Sequence, residues 1–575
     1  MEQKAVMEQG KCAAQNKNIR NNDSKNRPGR IWYGALFLLL ILQILLLLYY
    51  GNRKAGFHED EYYSYYSTNR TAGLFEPDRE WVDRDTFRNE FVVLQGEGFR
   101  YGLVSTVQSW DVHPPFFYFL LHTACSLFPG VFSKWLGIGV NIVAFAINFV
   151  LLCRLSYMVS GKNKWLTFAV AAVYGFNGVI ISGVMFIRMY EWLTVFVLSC
   201  ACIHVRAVIK KDMGIRSFLL PLMAVNYLGF LTQYYYIIFL FFAAAFFCLW
   251  RLWTDRKLWN CIKYGMACGI SLLLAVFSYP ASLSHIFRGY RGTGAASEFL
   301  DAANTGDRLR FFGGLVNEYL FDGFLGLWIL LIVFLACLLA VGKYRDGKRG
   351  DRADAGMNRE MARADAGGEK TAYGLLLFAV CGYFFTVSKT ALLLYETSNR
   401  YQLPIYGILL LLVMAAVYGL WMENASFFMK MKPSWVKWAW GIGLAVITLI
   451  FLADDIHGLV SGKVIFLYEE DGEHMEYAKA NAHMPVIVLY NDATPYHVWW
   501  CSQELMQYER IYFASEGNLE KITDEVLNSS EMAIVYAADY DTKGDSLEMI
   551  LESCPDLEEY RLVLSKGLWS VYELE

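Results

Sequence analysis

The hydrophobic positions of this chain fall in long unbroken runs. The first, WYGALFLLLILQILLLLYY over residues 32–50, has 19 residues and no charge. About 20 apolar residues span a hydrocarbon core roughly 30 Å thick, so this run predicts a transmembrane helix. Further runs centre near residues 145, 173, 198, 225, 242, 270, 330, 380, 411 and 445. Together they predict about eleven spans, with twelve or thirteen also compatible with the pattern. The stretch FFYFLLHTACSLF (116–128) has 13 residues, too few for a crossing. It predicts a helix lying in, or dipping into, the outer leaflet. A signal peptide is the rival reading of the first run. Its apolar core would be about 7–15 residues long, followed by small residues for cleavage. This run is longer and ends on Tyr49 and Tyr50, which predicts an uncleaved anchor.

Beyond residue 455 the pattern changes. PVIVLYND (485–492), RIYFASE (510–516) and EMAIVYAADY (531–540) read as strands, with polar helical stretches between them. RLVLSKGLWSVYEL (561–574) reads as a closing hairpin with Lys566-Gly567 at its turn. Residues 456–575 therefore predict a small α/β domain after a membrane domain at 32–455. It contains neither a GxGxxG nor a Walker motif.

Composition supports this division. Only 18% of the 575 residues are charged, against about 25% in soluble proteins. The net charge of −4 hides an asymmetry: residues 454–575 carry 25 acids and 7 Lys or Arg, a net of −18, which leaves +14 for the rest. The basic residues cluster in short loops between apolar runs, a pattern that excludes a nucleic-acid binder. Seven Lys or Arg and three acids precede the first span, and the loop 343–371 is rich in basic and small residues. Lys162 and Lys164 with Arg154, Lys210 and Lys211 with Arg206 and Arg216, Arg256 and Lys257 with Arg251 and Lys263, and Lys430, Lys432 and Lys437 form further clusters. The positive-inside rule then places the N-terminus (1–31) and these clusters in the cytoplasm. The loops 51–133 and 281–318 and the acidic domain fall outside, at the outer face of a multi-pass cytoplasmic-membrane protein. The twelve cysteines show no metal-ligand spacing, although Cys501 and Cys554 share the acidic domain and could pair there.

The candidate chemistry lies at the outer ends of the apolar runs. Ionisable groups at membrane depth cost about 2.5–3.5 kcal/mol each, so they tend to pair or to work. FHEDEYYSYY (57–66) holds His58, Glu59, Asp60 and Glu61, and its five large residues predict a packed helix. Adjacent acids can supply a general base and a partner that orients it. In WDVHPPFFY (110–118), Pro114 and Pro115 fix the start of a helix and hold Asp111 and His113 at its approach. In FIRMYEW (186–192), Arg188 interrupts an apolar stretch, with Glu191 three residues on as a candidate partner. Arg400 in YETSNRYQLP opens a late span. The loop 281–318 carries Arg288, Arg291, Arg308 and Arg310, and its Gly-rich RGYRGTGAASEF reads as flexible, the character of a loop that orders over substrate. Acids to take a proton and arginines to hold phosphate suit an anionic, membrane-bound substrate.

Four of these pieces occur in a telling order: Asp60-Glu61; the D-x-HPP-x-x-Y set of Asp111, His113, Pro114, Pro115 and Tyr118; the R-x-Y set of Arg188 and Tyr190; and the R-Y-x-x-P set of Arg400, Tyr401 and Pro404. Over residues 30–455 the chain resembles the membrane glycosyltransferases of the GT-C fold, the bacterial relatives of protein O-mannosyltransferases and aminoarabinose transferases. The resemblance implies transfer of a sugar from a polyprenyl-phosphate donor to a glycan, lipid or protein acceptor outside the cytoplasm. Asp60 would be the base, with Glu61 or Glu59 as alternatives. Arg188, Arg400 and an arginine of loop 281–318, Arg291 foremost, would hold the phosphate. Asp111, His113, Tyr190 and Tyr401 would line the site. A divalent cation held by Asp60, Glu61 and Asp111 is a further option, because relatives differ in metal dependence. Two other classes fit the spans: a transporter or flippase for lipid-linked glycans, which would need paired repeats and broken spans at mid-membrane, and a non-catalytic receptor with an acidic binding domain.

Overall fold

The computed structural model describes residues 29–69, 81–348, 356–429, 434–515, 517–522, 527, 532–538 and 543–575. The basic N-terminal tail as far as residue 28, the centre of loop 343–371, Lys430 and Lys432 lie outside the described residues, as does the side chain of Lys437.

The long apolar runs form helices. In chain order these are α1 (Arg30–Arg53), the short α2 (Glu59–Asn69) and α3 (Phe116–Ser126), α4 (Lys134–Val159), α5 (Lys164–Phe176), α6 (Gly178–Met185), α7 (Tyr190–Lys210), α8 (Leu220–Thr232), α9 (Tyr236–Asp255), α10 (Leu258–Ser278), α11 (Ala281–Phe287), α12 (Tyr290–Leu300), α13 (Thr305–Leu315), α14 (Leu325–Lys348), α15 (Gly356–Thr390), α16 (Asn399–Met429), α17 (Ser434–Val460) and α18 (Asp471–Ala480). Among the described residues, ten helices are long and apolar enough to cross a membrane, or eleven if the bent pair α5–α6 is counted as one span. Their outer faces expose large apolar side chains such as Phe37, Val150, Phe277, Leu330 and Leu449, as lipid-facing helices do. The fold is thus a polytopic α-helical bundle with a C-terminal α/β domain.

The break between α5 and α6 bends the chain by 56°. Asn177 caps the second half by accepting from the Val179 amide at 3.2 Å. Its side-chain amide nitrogen donates to Asp455 at 2.7 Å and to the Leu320 carbonyl at 3.1 Å, which ties the break to neighbouring segments. The short α3 spans 11 residues, in keeping with the expected partial helix at 116–128.

The stretch 281–318 differs from the flexible loop expected of it: α11, α12 and α13 occupy most of it. In α12, Gly292 and Gly294 fall in the first half, and the Ala, Ser, Glu, Phe and Leu that follow them carry the rest of the helix, which has no buried residue.

The C-terminal domain is built on a six-stranded sheet. Its strands are β1 (Trp81–Asp83), β2 (Val486–Leu489), β3 (Arg510–Ala514), β4 (Ala533–Ala538), β5 (Tyr560–Lys566) and β6 (Trp569–Leu574), in the order β1-β3-β2-β4-β6-β5. β2 pairs in parallel with both β3 and β4, and β5–β6 is the expected hairpin, turning at Gly567 with φ +56°. β1 comes from the first long loop and closes one edge antiparallel to β3. The domain is therefore tied to residues 51–133 through its sheet. Along β2, Val486 and Val488 face the main core while Ile487 and Leu489 face a second one. Cys501 lies in the first cluster and Cys554 in the second, on opposite faces of the sheet, so the pairing open to them in the sequence is not formed.

Candidate active site

The first turn of α2 carries Glu59, Asp60 and Glu61. Its far side buries Tyr62, Tyr65 and Tyr66 completely. Each aromatic ring brings roughly 150–250 Å² into the core, which outweighs the poor helix propensity of tyrosine and fixes the helix rigidly. The Tyr65 hydroxyl donates to the Ser133 carbonyl at 2.7 Å and accepts from the Gly137 amide at 3.0 Å, locking α2 to the start of α4.

Two arginines from distant segments reach Asp60. Arg400, in the first turn of α16, donates from Nη1 to Asp60 Oδ2 at 2.6 Å. Arg188, on the turn between α6 and α7, lies 4.0 Å from Oδ1 and donates to the Asp60 carbonyl at 3.2 Å. The two arginine side chains are almost wholly buried, but the Asp60 side chain is 31% exposed. Burial pushes the Asp60 carboxyl up; the charges of Arg400 and Arg188 outweigh it and hold the group far below the usual carboxylate range.

Arg188 also reads the second motif. Its Nη1 donates to the Tyr118 hydroxyl at 3.1 Å and the Ser64 hydroxyl at 3.2 Å, and its Nη2 to His113 Nε2 at 2.8 Å. An arginine can only donate, so His113 accepts at Nε2 and carries its ring proton on Nδ1. Burial, reinforced by the nearby Arg188 charge, keeps this imidazole well below its ordinary value and hence neutral. Asp111 makes no ion pair with Arg188, and its Oδ2 is buried without a hydrogen-bond partner among the described residues. Burial raises its carboxyl in spite of the Arg188 charge.

The aromatic residues form a frame. Phe186 stacks on Tyr190, with ring centres 6.1 Å apart and 17° between planes, and on Phe466 at 4.2 Å and 19°. The Arg400 guanidinium lies over Phe186 and Tyr401, at 5.3 and 5.1 Å from the ring centres. The C-terminal domain supplies a rim: Trp500 packs against His58 at 5.1 Å and donates to Glu59 at 3.0 Å, and His497 lies 3.4 Å from the same carboxylate. His58 is pulled down to about 4 by burial, against the pull of Asp60.

The structure therefore brings together Asp60, His113, Arg188, Tyr190, Arg400 and Tyr401. Arg291 is exposed on α12 and stacks on Tyr290 at 5.2 Å. It makes no ion pair with Asp60 among the described residues, although its charge is felt at His113. The expected Arg188–Glu191 pair is absent: Glu191 is buried on the other side of α7 and accepts from Asn148 at 2.8 Å. Among the described residues no three His, Cys, Asp or Glu side chains converge in a way that could hold a metal ion. Asp60 is engaged by Arg400 and Glu61 by Lys54. Sequence reasoning missed Lys54, which reads as a cation ending a span, and Trp500, His497 and Phe466, which no local pattern connects to residue 60.

No family model matches this chain, and no curated protein matches it in sequence. Among solved structures, it is similar to ArnT from Cupriavidus metallidurans bound to undecaprenyl phosphate, with 11% identity, a TM-score of 0.49, and 94% of this chain and 98% of that chain covered. The apo state of the same protein gives 12% identity, a TM-score of 0.41, and coverage of 89% and 96%.

Proposed function

We propose that this chain is an integral membrane glycosyltransferase of the GT-C kind, using a polyprenyl-phosphate sugar donor at the outer face of the membrane. The observation that carries this reading is the convergence on one partly exposed carboxylate, Asp60, of two buried arginines from segments far apart in sequence. Both guanidinium groups belong to motifs that, in order, resemble that family.

In the reaction, an acceptor hydroxyl attacks the anomeric carbon of the donor sugar. Its proton passes to Asp60, a C–O bond forms, and the bond from the anomeric carbon to the phosphate oxygen breaks. The lipid phosphate leaves with the electron pair. Asp60 is ionised at neutral pH, as a base must be, but with both arginines facing it the carboxylate is a weak one. A phosphate entering between the arginines draws their charge towards itself, and the Asp60 carboxyl then rises towards its ordinary range. Donor binding thereby activates the base. General-base help of this kind is worth about 10²–10⁴-fold. The same guanidinium groups neutralise the charge that develops on the leaving phosphate. Asp111, with one oxygen unpartnered, is suited to accept a hydroxyl of the donor sugar.

The test is incubation of the purified protein with a panel of polyprenyl-phosphate sugars, comparing wild type with Asp60→Asn. Donor turnover should nearly vanish in the variant while its melting temperature stays close to wild type. Equal turnover in both removes Asp60 from the mechanism. The transporter alternative called for paired repeats with broken spans, and among the described residues a single bent helix pair, α5–α6, is present.

A further inference from the structure

Glu61 is adjacent to the candidate base, yet its surroundings differ from those of Asp60. Its side chain and that of Lys54 are wholly buried, and Lys54 Nζ donates to Glu61 Oε2 at 2.9 Å. The same oxygen accepts the His58 amide at 2.7 Å. The other oxygen, Oε1, accepts the amide of Ile187 at 2.8 Å. Lys54 Nζ in turn donates to the Phe466 carbonyl at 2.6 Å. A general base must come within about 2.6–3.2 Å of the proton it takes. Both oxygens of Glu61 are already engaged and neither meets solvent, so an acceptor hydroxyl has no approach to it.

The partners of this carboxylate matter more than its acidity. Ile187 precedes Arg188 on the turn between α6 and α7. Phe466 lies on the segment that leaves α17 for the C-terminal domain and stacks on Phe186 of the same turn. The surrounding packing is tight. A Cβ on Gly56 would fall 1.8 Å from Asp471 Oδ2, and one on Gly137 would fall 2.2 Å from Ile187 Cγ2. The buried pair thus sits where α2, the arginine-bearing turn and the entry to the C-terminal domain meet.

We propose that Glu61 is a positioning residue: through one carboxylate, held by Lys54, it fixes the turn carrying Arg188 and the entry to the C-terminal domain against the helix carrying Asp60. It thereby sets the distance between the base and the guanidinium that receives the phosphate; that last consequence rests on the function proposed above.

Hydrogen–deuterium exchange of the full-length protein in detergent tests the clamp without any ligand. Glu61→Gln keeps an oxygen for one amide but sets an NH2 group against the remaining donors; Glu61→Ala removes both acceptors. Exchange at the peptide spanning residues 186–188 should rise in Glu61→Gln and further in Glu61→Ala. In parallel, the dissociation constant for a C55 polyprenyl phosphate should weaken about tenfold in Glu61→Gln, the loss expected when a buried charged acceptor is removed. At saturating donor, Glu61→Gln should retain turnover that Asp60→Asn lacks. Should Glu61→Ala fail to fold, Glu61→Gln alone decides. Unchanged exchange at 186–188 overturns the clamp, as does a variant whose turnover at saturating donor is lost while its affinity for polyprenyl phosphate is unchanged, the pattern of a missing base. If the wild type binds no polyprenyl phosphate and exchange still responds to Glu61→Gln, the clamp stands and the phosphate reading falls.

Discussion

At the scale of single residues, the site depends on guanidinium geometry. Arg188 makes four donor contacts, to the Asp60 carbonyl, Ser64, Tyr118 and His113. A lysine carries three donors on one point charge and cannot reproduce that planar fork. Arg188→Lys should therefore lower donor turnover by roughly 10²-fold, the size of loss expected when a reacting group is displaced by about 1 Å. Steady-state kinetics would check this, and activity within threefold of wild type would count against the role. His58 gives a pH-dependent signal. Its Nδ1 accepts the Asp60 amide at 3.0 Å, which requires the neutral ring. Burial lowers its value from 6.5 to about 4, so the unfolded state binds a proton more readily than the folded state between those two pH values. Stability is then fully present above about pH 6.5 and is lost as pH falls towards 4, by roughly 2–3 kcal/mol for this group. In His58→Asn the Oδ1 atom accepts the same amide without titrating. The melting temperature of the variant should fall less than that of wild type between pH 7 and 4.5; parallel curves would exclude His58 as the source.

At the scale of elements, what was legible in the sequence follows the range of the interaction. The spans, the short α3, the packed tyrosine face of α2 and the C-terminal strands all follow from local apolar pattern, and the structure has them. The arginines were legible as charges at the ends of apolar runs. The engagement of Glu191 by Asn148 and the joining of β1 to the distant sheet were not, because nothing in a local window encodes which partner lies across the fold. Lys54 and Glu61 are only seven residues apart, but they meet through the non-helical segment between α1 and α2, whose course no periodicity predicts. The three helices in 281–318 were missed for a different reason: glycine count outweighed the helix formers between the glycines. The contact of α4 with the Arg188 turn also shows only in three dimensions, and it can be tested. In Gly137→Ala the new methyl group would meet Ile187 at 2.2 Å and the Tyr65 hydroxyl at 2.9 Å. Overpacking of this kind costs about 1–3 kcal/mol. Two residues on, Gly139 faces open space. Gly137→Ala should lower both the melting temperature and the affinity for polyprenyl phosphate, and Gly139→Ala neither. Equal behaviour of the two variants would mean that the turn tolerates displacement.

At the scale of the whole molecule, the arrangement of helices constrains which side the site faces. The C-terminal end of α1 touches the C-terminal domain, through the Arg53–Glu469 pair at 2.6 Å and through Lys54 and Phe466. If α5–α6 were not a crossing, ten spans would return the chain after α17 to the side on which α1 begins. The domain would then lie across the bilayer from the residues it contacts. Counting the bent pair as one span removes this conflict, and we infer that eleven spans would put the start of α1 and the C-terminal domain on opposite sides. The basic clusters at the ends of α7 and α9 fall on the side of the N-terminus, which the positive-inside rule assigns to the cytoplasm. In the orientation proposed, Asp60, α12 and the C-terminal domain would face outwards. Leu300 and Ala480 are exposed on that side, and Lys210 is exposed on the other. In intact cells, a membrane-impermeant thiol reagent should label Leu300→Cys and Ala480→Cys, and should label Lys210→Cys only after permeabilisation. Labelling of Lys210→Cys in intact cells, with Ala480→Cys protected, would invert the orientation. It would then place Asp60 in the cytosol, where an outer-face transfer has no acceptor.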